Sequence, residues 1–284
     1  MSLTFVPTPL GNLRDITLRA LDVLRESALV VAEDTRVARR LLSAHGISGK
    51  RLMSYREQNA EAITPAILAR ARNEAVAVVT DAGTPAISDP GRELLNAARA
   101  AGIEVAVLPG AVAFAGAAVL SGFSLDGLTF NGFVPRASGA RRAAFAAALE
   151  SGATSAWYEA PNRIVATLET LAELAPARAV FVLREWTKLY EQQIAGTPRE
   201  VQAALERPVR GEIVLVIGAG ERSEAAGRAH VDLDVAIDAA LDAGLSPAAA
   251  AKALARERGA PRAELYARVS ARKNARSGKP PPQR

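Results

Sequence analysis

Short runs without polar residues recur along the chain, separated by stretches that carry helical stripes. Ala28–Ala32, Ala75–Val79 and Val105–Leu108 are apolar at every position. An unbroken apolar run of this length is how a strand buried on both faces reads, and such strands belong to parallel sheets covered by helices. Before the first run, Thr17–Ser27 places Leu18, Leu21, Val23 and Leu24 on one helical stripe. Asp89-Pro90-Gly91 reads as a helix start, with Asp as N-cap and Pro at the first helical position, and Ala101-Gly102 as its stop. The alternation resumes after residue 125, with strands expected at 154–158, 179–183 and 213–217 and helices at 141–150, 164–174 and 198–205. Alternating strands and helices predict an α/β layered fold. A polar break at 221–227 precedes three expected helices at 231–243, 246–258 and 262–271. The expected organisation is an α/β domain over 1–110, a second over 111–222, a basic helical module over 229–273 and a disordered tail over 274–284, whose Pro-rich, polar end cannot build a core.

The composition narrows the chemistry. With 49% hydrophobic and 23% charged residues in 284, the chain reads as a soluble globular protein rather than a disordered one. It has no cysteine, which excludes disulfides, zinc–thiolate and iron–sulfur sites and a thiol nucleophile. His45 and His230 are the only histidines, far apart in sequence, so no metal site is expected. The apolar stretch 111–123 is too short to span a bilayer and the first residues do not read as a leader, so the expected address is the cytoplasm, with no membrane partner. The net charge of +5 is uneven: residues 252–284 hold ten Lys/Arg against Glu257 and Glu264. A basic end on a mildly acidic body suggests a polyanionic partner. The acids of the module, Asp232, Asp234, Asp238 and Asp242, cluster on its first expected helix, which is expected to pack toward the body and leave the later helices to phosphate.

Four loops follow expected strands, where ligands bind in open α/β sheets. Pro7–Leu13 is stiffened by two prolines; Glu33-Asp34-Thr35-Arg36 carries two carboxylates and an arginine, or a helix cap at Thr35; Leu108-Pro109-Gly110 leads into a small-residue helix. The richest is Asp81–Gly91, where Ala82 and Gly83 leave backbone groups uncovered for a ligand. It matches neither a dinucleotide nor a P-loop fingerprint, so nothing points to NAD or ATP.

In order, PTPLGNL–DIT–RAL at 7–21, AEDTR at 32–36, TDAGTPAISDPG at 80–91, LPG at 108–110, GF at 132–133, YEAPNR at 158–163, REWTKLYE at 184–191 and GEIVLVIG at 211–218 resemble the tetrapyrrole-methylase superfamily. Within it the series is most similar to the branch that uses S-adenosylmethionine to 2′-O-methylate a cytidine of 16S ribosomal RNA. The resemblance implies two α/β domains with a cofactor cleft between them, a homodimer, and the small ribosomal subunit as partner. Carried over by position, Pro9 lines the cleft. Asp81 heads a loop whose backbone at Ala82, Gly83 and Thr84 holds the methionine end, with Ile87 beside it. Val112 and Ala113 lie against the ligand, and Tyr158, Glu159 and Leu183 close over the adenosine. Two departures stand out: Arg56 or Glu57 occupies the place of a frequent family histidine, and Ala111-Val112-Ala113 replaces a commoner Pro/Ser/Ala variant.

A methyl transfer gains about 7–11 kcal/mol from alignment of the reacting atoms, and a ribose hydroxyl gains roughly 10²–10⁴-fold from a base. The candidate bases are Glu33, Asp34, Asp81, Glu159, Glu185 and Lys188, the last only with a lowered pKa, and Arg184 could place a phosphate. Two other readings stay open: a tetrapyrrole C-methylase of the same superfamily, and a non-enzymatic RNA-binding protein that uses the basic end.

Overall fold

The first five strands are β1 (Ser2–Phe5), β2 (Leu29–Ala32), β3 (Arg51–Ser54), β4 (Val76–Val79) and β5 (Glu104–Val107), in the order β3-β2-β4-β1-β5, every neighbouring pair parallel. This computed structural model describes residues 2–220, 233–258 and 262–276. The expected strands at 28–32 and 75–79 are β2 and β4, buried at every position; the run at 105–108, expected to be buried alike, is instead the edge strand β5, where Ala106 and Val107 are exposed. Side chains alternate across the sheet. Val76 and Val78 meet Ile67 and Ala71 of α3 (Ala60–Ala71) and Leu94 and Ala98 of α4 (Arg92–Ala100) on one face. Ala77 and Val79 meet Ala20 and Leu24 of α1 (Leu18–Glu26) and Ala38 and Leu42 of α2 (Thr35–Ala44) on the other.

This order opens a crevice. The neighbours β1 and β4 continue into α1 and α4, which lie on opposite faces. Their loops therefore diverge, which is the topological switch point where ligands bind. Two reciprocal backbone bonds hold the loops in register, Thr8 N–H to Gly83 O at 2.9 Å and Gly83 N–H to Thr8 O at 3.0 Å.

The second sheet contains β6 (Thr129–Phe133), β7 (Ser155–Glu159), β8 (Val180–Arg184), β9 (Gln192–Gly196) and β10 (Ile213–Ile217), ordered β6-β7-β10-β8-β9. Only β6 and β7 are parallel; the other pairs are antiparallel. The helices α6 (Ser138–Ser151), α7 (Ile164–Leu174) and α8 (Pro198–Ala204) bury Phe145, Leu168, Leu171 and Val201 against Trp157, Val182 and Leu215. On the opposite face, α5 (Ala113–Ser121) presents Ala117 to Phe181, Leu183 and Val214. Its small residues admit a neighbour: a Cβ on Gly116 would lie 1.9 Å from Cη2 of Trp186, so the indole lies directly on the helix.

Two cap assignments change. Asp34, not Thr35, caps α2, accepting from Arg36 N–H at 2.8 Å. Helix α4 begins only at Arg92, with Gly91 (φ 133°) as N-cap and no side-chain cap. Ala86 and Ser88 sit at φ 69° and 61° and wind the loop an extra turn before the helix. Asp89 is thereby released from the capping role its sequence suggests.

Residues 220–284 form a separate unit. Its helices α9 (233–242), α10 (Pro247–Arg258) and α11 (Arg262–Arg276) surround Ile237, Ala250, Ala251, Leu254, Leu265 and Val269. Two acids of α9 face α11: Asp234 pairs with Arg268 at 3.0 Å and Asp238 with Arg272 at 2.6 Å. Of the cations on the later helices that were expected to face phosphate, Arg268 and Arg272 are thus engaged by carboxylates of the unit itself. The polar break at 221–227, Asp232 and the tail from 277 onward lie outside the described residues.

Candidate active site

A cavity of about 370 Å³ lies where the loops of the first sheet meet β7, β8 and β10 of the second, within the usual range for small-molecule sites. Ala82, Gly83 and Thr84 form one wall with Val112 and Ala113; Tyr158, Leu183, Trp186, Ile213 and Val214 form the other. Gly83 has φ +80°, and a Cβ there would meet Leu10 Cδ2 at 3.2 Å, so the loop takes this path because the position has no side chain. Thr84 Oγ1 donates to Ala111 O at 2.9 Å and ties the loop to the start of α5. Phe114, Phe130, Phe133 and Tyr158 form an aromatic series beside the cavity, with Phe133 on its lining although 56% exposed. Burial pushes the Tyr158 phenol up to about 12, so it stays neutral.

The cavity is lined by the carboxylates Glu33, Asp81, Asp89, Glu159 and Glu212 and by no Lys, Arg or His. Glu159 is buried and committed, accepting from Arg163, from Thr167 Oγ1 at 2.5 Å and from Ala160 N–H at 2.7 Å. Lys188 Nζ holds Glu212 at 2.9 Å. The other three act on one another. Burial raises Glu33, with the Asp81 charge adding to it. Burial raises Asp81 despite the Asp34 N–H it accepts at 3.0 Å. Asp89 is pushed up to about 7 by burial first, then by the charges of Glu33, Asp81 and Glu212. A cation in this cavity would relieve all three.

The structure separates the sequence candidates. Asp81, Ala82, Gly83, Thr84, Ile87, Val112, Ala113, Tyr158, Glu159 and Leu183 all line the cavity. Pro9 does not; it is buried, and its neighbour Leu10 reaches the wall instead. Among the candidate bases, Glu33 lines the cavity, whereas Asp34, Glu185 and Lys188 do not. Asp34 is held well below the usual carboxylate range by hydrogen bonds from Arg36. Burial alone would lower the Lys188 ammonium, but hydrogen bonds to Glu185 and Glu212 outweigh it and raise it, the opposite of what a base requires. Burial likewise opposes the charge of Glu185, and Lys188 outweighs it, so this carboxyl is lowered. Arg184 is only 8% exposed and bonds Gln192 at 3.1 Å, so it is not placed for a phosphate.

Asp89, Glu212, Phe133 and Trp186 went unrecognised as cavity residues. For Asp89 the signal was present: it is the second carboxylate bracketing the small-residue loop that Asp81 opens. A cap reading accounted for it locally and hid it. Glu185 and Thr187, at φ 51° and 65°, flank Trp186 with a second pair of left-handed non-glycine residues. Such strain gathers at functional sites. Among the described residues no group of three His, Cys, Asp or Glu is placed to hold a metal.

The family model described as Tetrapyrrole (Corrin/Porphyrin) Methylases matches residues 2–202. The ribosomal RNA small subunit methyltransferase I of Neisseria meningitidis serogroup B is 45% identical over 220 residues, 76% of this chain and 75% of that protein. The protein of that name from Thermotoga maritima is 39% identical over 222 residues, 77% of this chain and 99% of its own. Among solved structures, a diphthine synthase superposes with a TM-score of 0.63 at 16% identity, over 77% of this chain and 90% of the other. A cobalt precorrin-4 methyltransferase gives 0.60 at 18%, over 76% and 94%; at such identities the likeness concerns the fold.

Proposed function

Because the chain belongs to the tetrapyrrole methylase family, we propose that it methylates the 2′-oxygen of a cytidine ribose in the 16S RNA of the small ribosomal subunit, with S-adenosylmethionine as methyl donor. The rRNA methyltransferase relatives support the substrate class. The observation that carries the donor site is the cavity itself, lined by five carboxylates and no cation, with a wall of Ala and Gly. That lining fits a cationic, extended ligand. The backbone at Ala82–Thr84 suits the methionine end, and Val112, Ala113, Leu183 and Ile213 suit the adenosine. When bound, S-adenosylmethionine supplies an electrophilic methyl group on a sulfonium that leaves as a neutral thioether.

The protein's own residues supply the rest. The walls hold acceptor and donor in line, worth about 7–11 kcal/mol. Asp89, titrating at about 7, takes the proton of the acceptor hydroxyl, which calls for a base matched to the working pH. Burial, and then repulsion from Glu33, Asp81 and Glu212, keeps Asp89 basic.

The reading extends to assembly and place. We place the boundary between the two α/β domains at 110/111, between β5 and α5. We take the protein to work as a homodimer in the cytoplasm, where its ribosomal substrate resides. Val107 at the edge of the first sheet and Val119 on α5 are 51% and 67% exposed, apolar side chains that a second copy could cover. Among the described residues no helix is long and apolar enough to cross a membrane.

The deciding experiment incubates the full-length protein with methyl-labelled donor and either small subunits or free 16S RNA, followed by nuclease digestion and mass spectrometry. Label on a cytidine 2′-oxygen is expected. Label on a base, transfer to a tetrapyrrole instead, or no transfer to RNA would overturn the reading.

A further inference from the structure

Phe133 lines the cavity and yet is 56% exposed, so it stands on the rim with much of its ring bare. A lone exposed apolar side chain is ordinary, but this one is put on the rim by an irregularity in its strand. Thr129 and Phe130 of β6 pair with Ser155 and Ala156 of β7, and Phe133 then pairs with Tyr158, one residue further along β6 than a regular ladder allows. Side chains alternate along a strand, so an unbroken β6 would send Phe130 and Phe133 to opposite faces. The extra residue returns Phe133 to the face of Tyr158, whose ring it meets at 5.5 Å and 64°. Gly132 takes up the bulge at φ 69°, a conformation glycine adopts without strain. Bulges re-aim side chains in this way beside active sites.

The bulge also fixes what lies next to the ring. A Cβ on Gly132 would stand 3.7 Å from Ser88 Oγ, and Ser88 and Asp89 line the same cavity. Phe133 therefore belongs to the stretch of β6 that abuts the loop carrying the proposed base. The lining holds five carboxylates and no Lys, Arg or His, so it offers the phosphate of a nucleotide nothing to pair with. A neutral aromatic face attracts a nucleobase without any charge.

We propose that Phe133 is the platform on which the nucleobase of the acceptor stacks, so that the ribose bonded to that base is held with its 2′-hydroxyl toward Asp89. Stacking selects a flat ring and tolerates any base. Phe133 thus requires an unpaired nucleotide turned out of its stack, and leaves the identity of the base to other contacts. The proposal rests on the methyl-transfer reading given above.

Phe133→Leu and Phe133→Trp test it in the full-length protein, at a position exposed enough to spare the core. For each, donor affinity is measured by calorimetry, melting temperature by circular dichroism, oligomeric state by sedimentation, and KM and kcat by methyl transfer to small subunits. Phe133→Leu is expected to raise KM about tenfold while donor affinity, melting temperature and oligomeric state stay at wild-type values. Phe133→Trp keeps an aromatic face and should hold KM within about twofold of wild type. Unchanged KM in Phe133→Leu, or equally raised KM in both variants, overturns the platform alone. So does a loss of donor affinity in Phe133→Leu, which would set the ring against the donor, or a change of oligomeric state, which would set it against a second copy. A wild type that binds donor but transfers no methyl group to RNA overturns the parent reading and the platform with it.

Discussion

The charge on Asp89 should couple donor binding to pH. In the free cavity this carboxyl titrates at about 7, so at pH 6 it is mostly protonated. A cationic donor favours the ionised form, so binding below pH 7 releases a proton and affinity rises with pH. The ionised fraction climbs from about one eleventh at pH 6 to about ten elevenths at pH 8, so affinity should rise about tenfold, or about 1.4 kcal/mol, and then level off. Calorimetric titration of S-adenosylmethionine at pH 6, 7 and 8 measures this directly. S-adenosylhomocysteine, which has no sulfonium, should show a much shallower rise. Asp89→Asn should lose the rise, retaining only whatever slope Glu33 and Asp81 contribute. The same shift sets a stability effect. Asp89 is raised from 3.8 to about 7 on folding, so the folded protein keeps this proton longer than the unfolded chain does. Stability is therefore lost as pH rises from about 4 to 7. The full shift would correspond to about 4 kcal/mol, and solvent access to the half-buried carboxyl reduces this to about 2 kcal/mol. Asp89→Asn should be more stable than wild type by that amount at pH 8 and equal to it near pH 4. Parallel pH slopes for donor binding in the two proteins would refute the reasoning.

Gly83→Val places a branched side chain at φ +80° and 3.2 Å from Leu10 Cδ2; donor affinity should fall at least about 100-fold while thermal melting stays cooperative. Wild-type affinity in that variant would remove the loop from the donor site. Calorimetry in excess chelator should return the same donor affinity as without it, and loss of binding would show that a metal takes part. Truncation after Arg228 should weaken RNA binding and flatten its salt dependence while donor affinity is kept. Each phosphate contact contributes a slope of about −0.7 to −0.9, and with Arg268 and Arg272 paired to Asp234 and Asp238 the change should come from the other cations of the module. Equal slopes for the two proteins, compared by filter binding, would take the module off the RNA surface.

The central strands were legible because burial on both faces leaves an unbroken apolar run, as at Val76–Val79 and Ile213–Ile217. The loop Asp81–Gly91 was legible because backbone exposed to a ligand demands small residues. Strands β1, β3, β6 and β9 gave no such signal. β3 and β9 lie at sheet edges, where one flank has no partner and charged or polar residues such as Arg51 and Gln193 are tolerated. The antiparallel turn of the second sheet was equally hidden, since a buried central strand reads alike in either direction. Nor could the chain say which carboxylate works as a base. Asp34, Glu159 and Asp89 look equivalent in sequence. Only packing gives the first a cap and an arginine, the second a buried ring of donors, and the third burial beside three like charges. Local pattern determines which segments are buried. The protonation of a group depends on charges brought to it from distant parts of the chain, and that placement is decided by the tertiary fold alone.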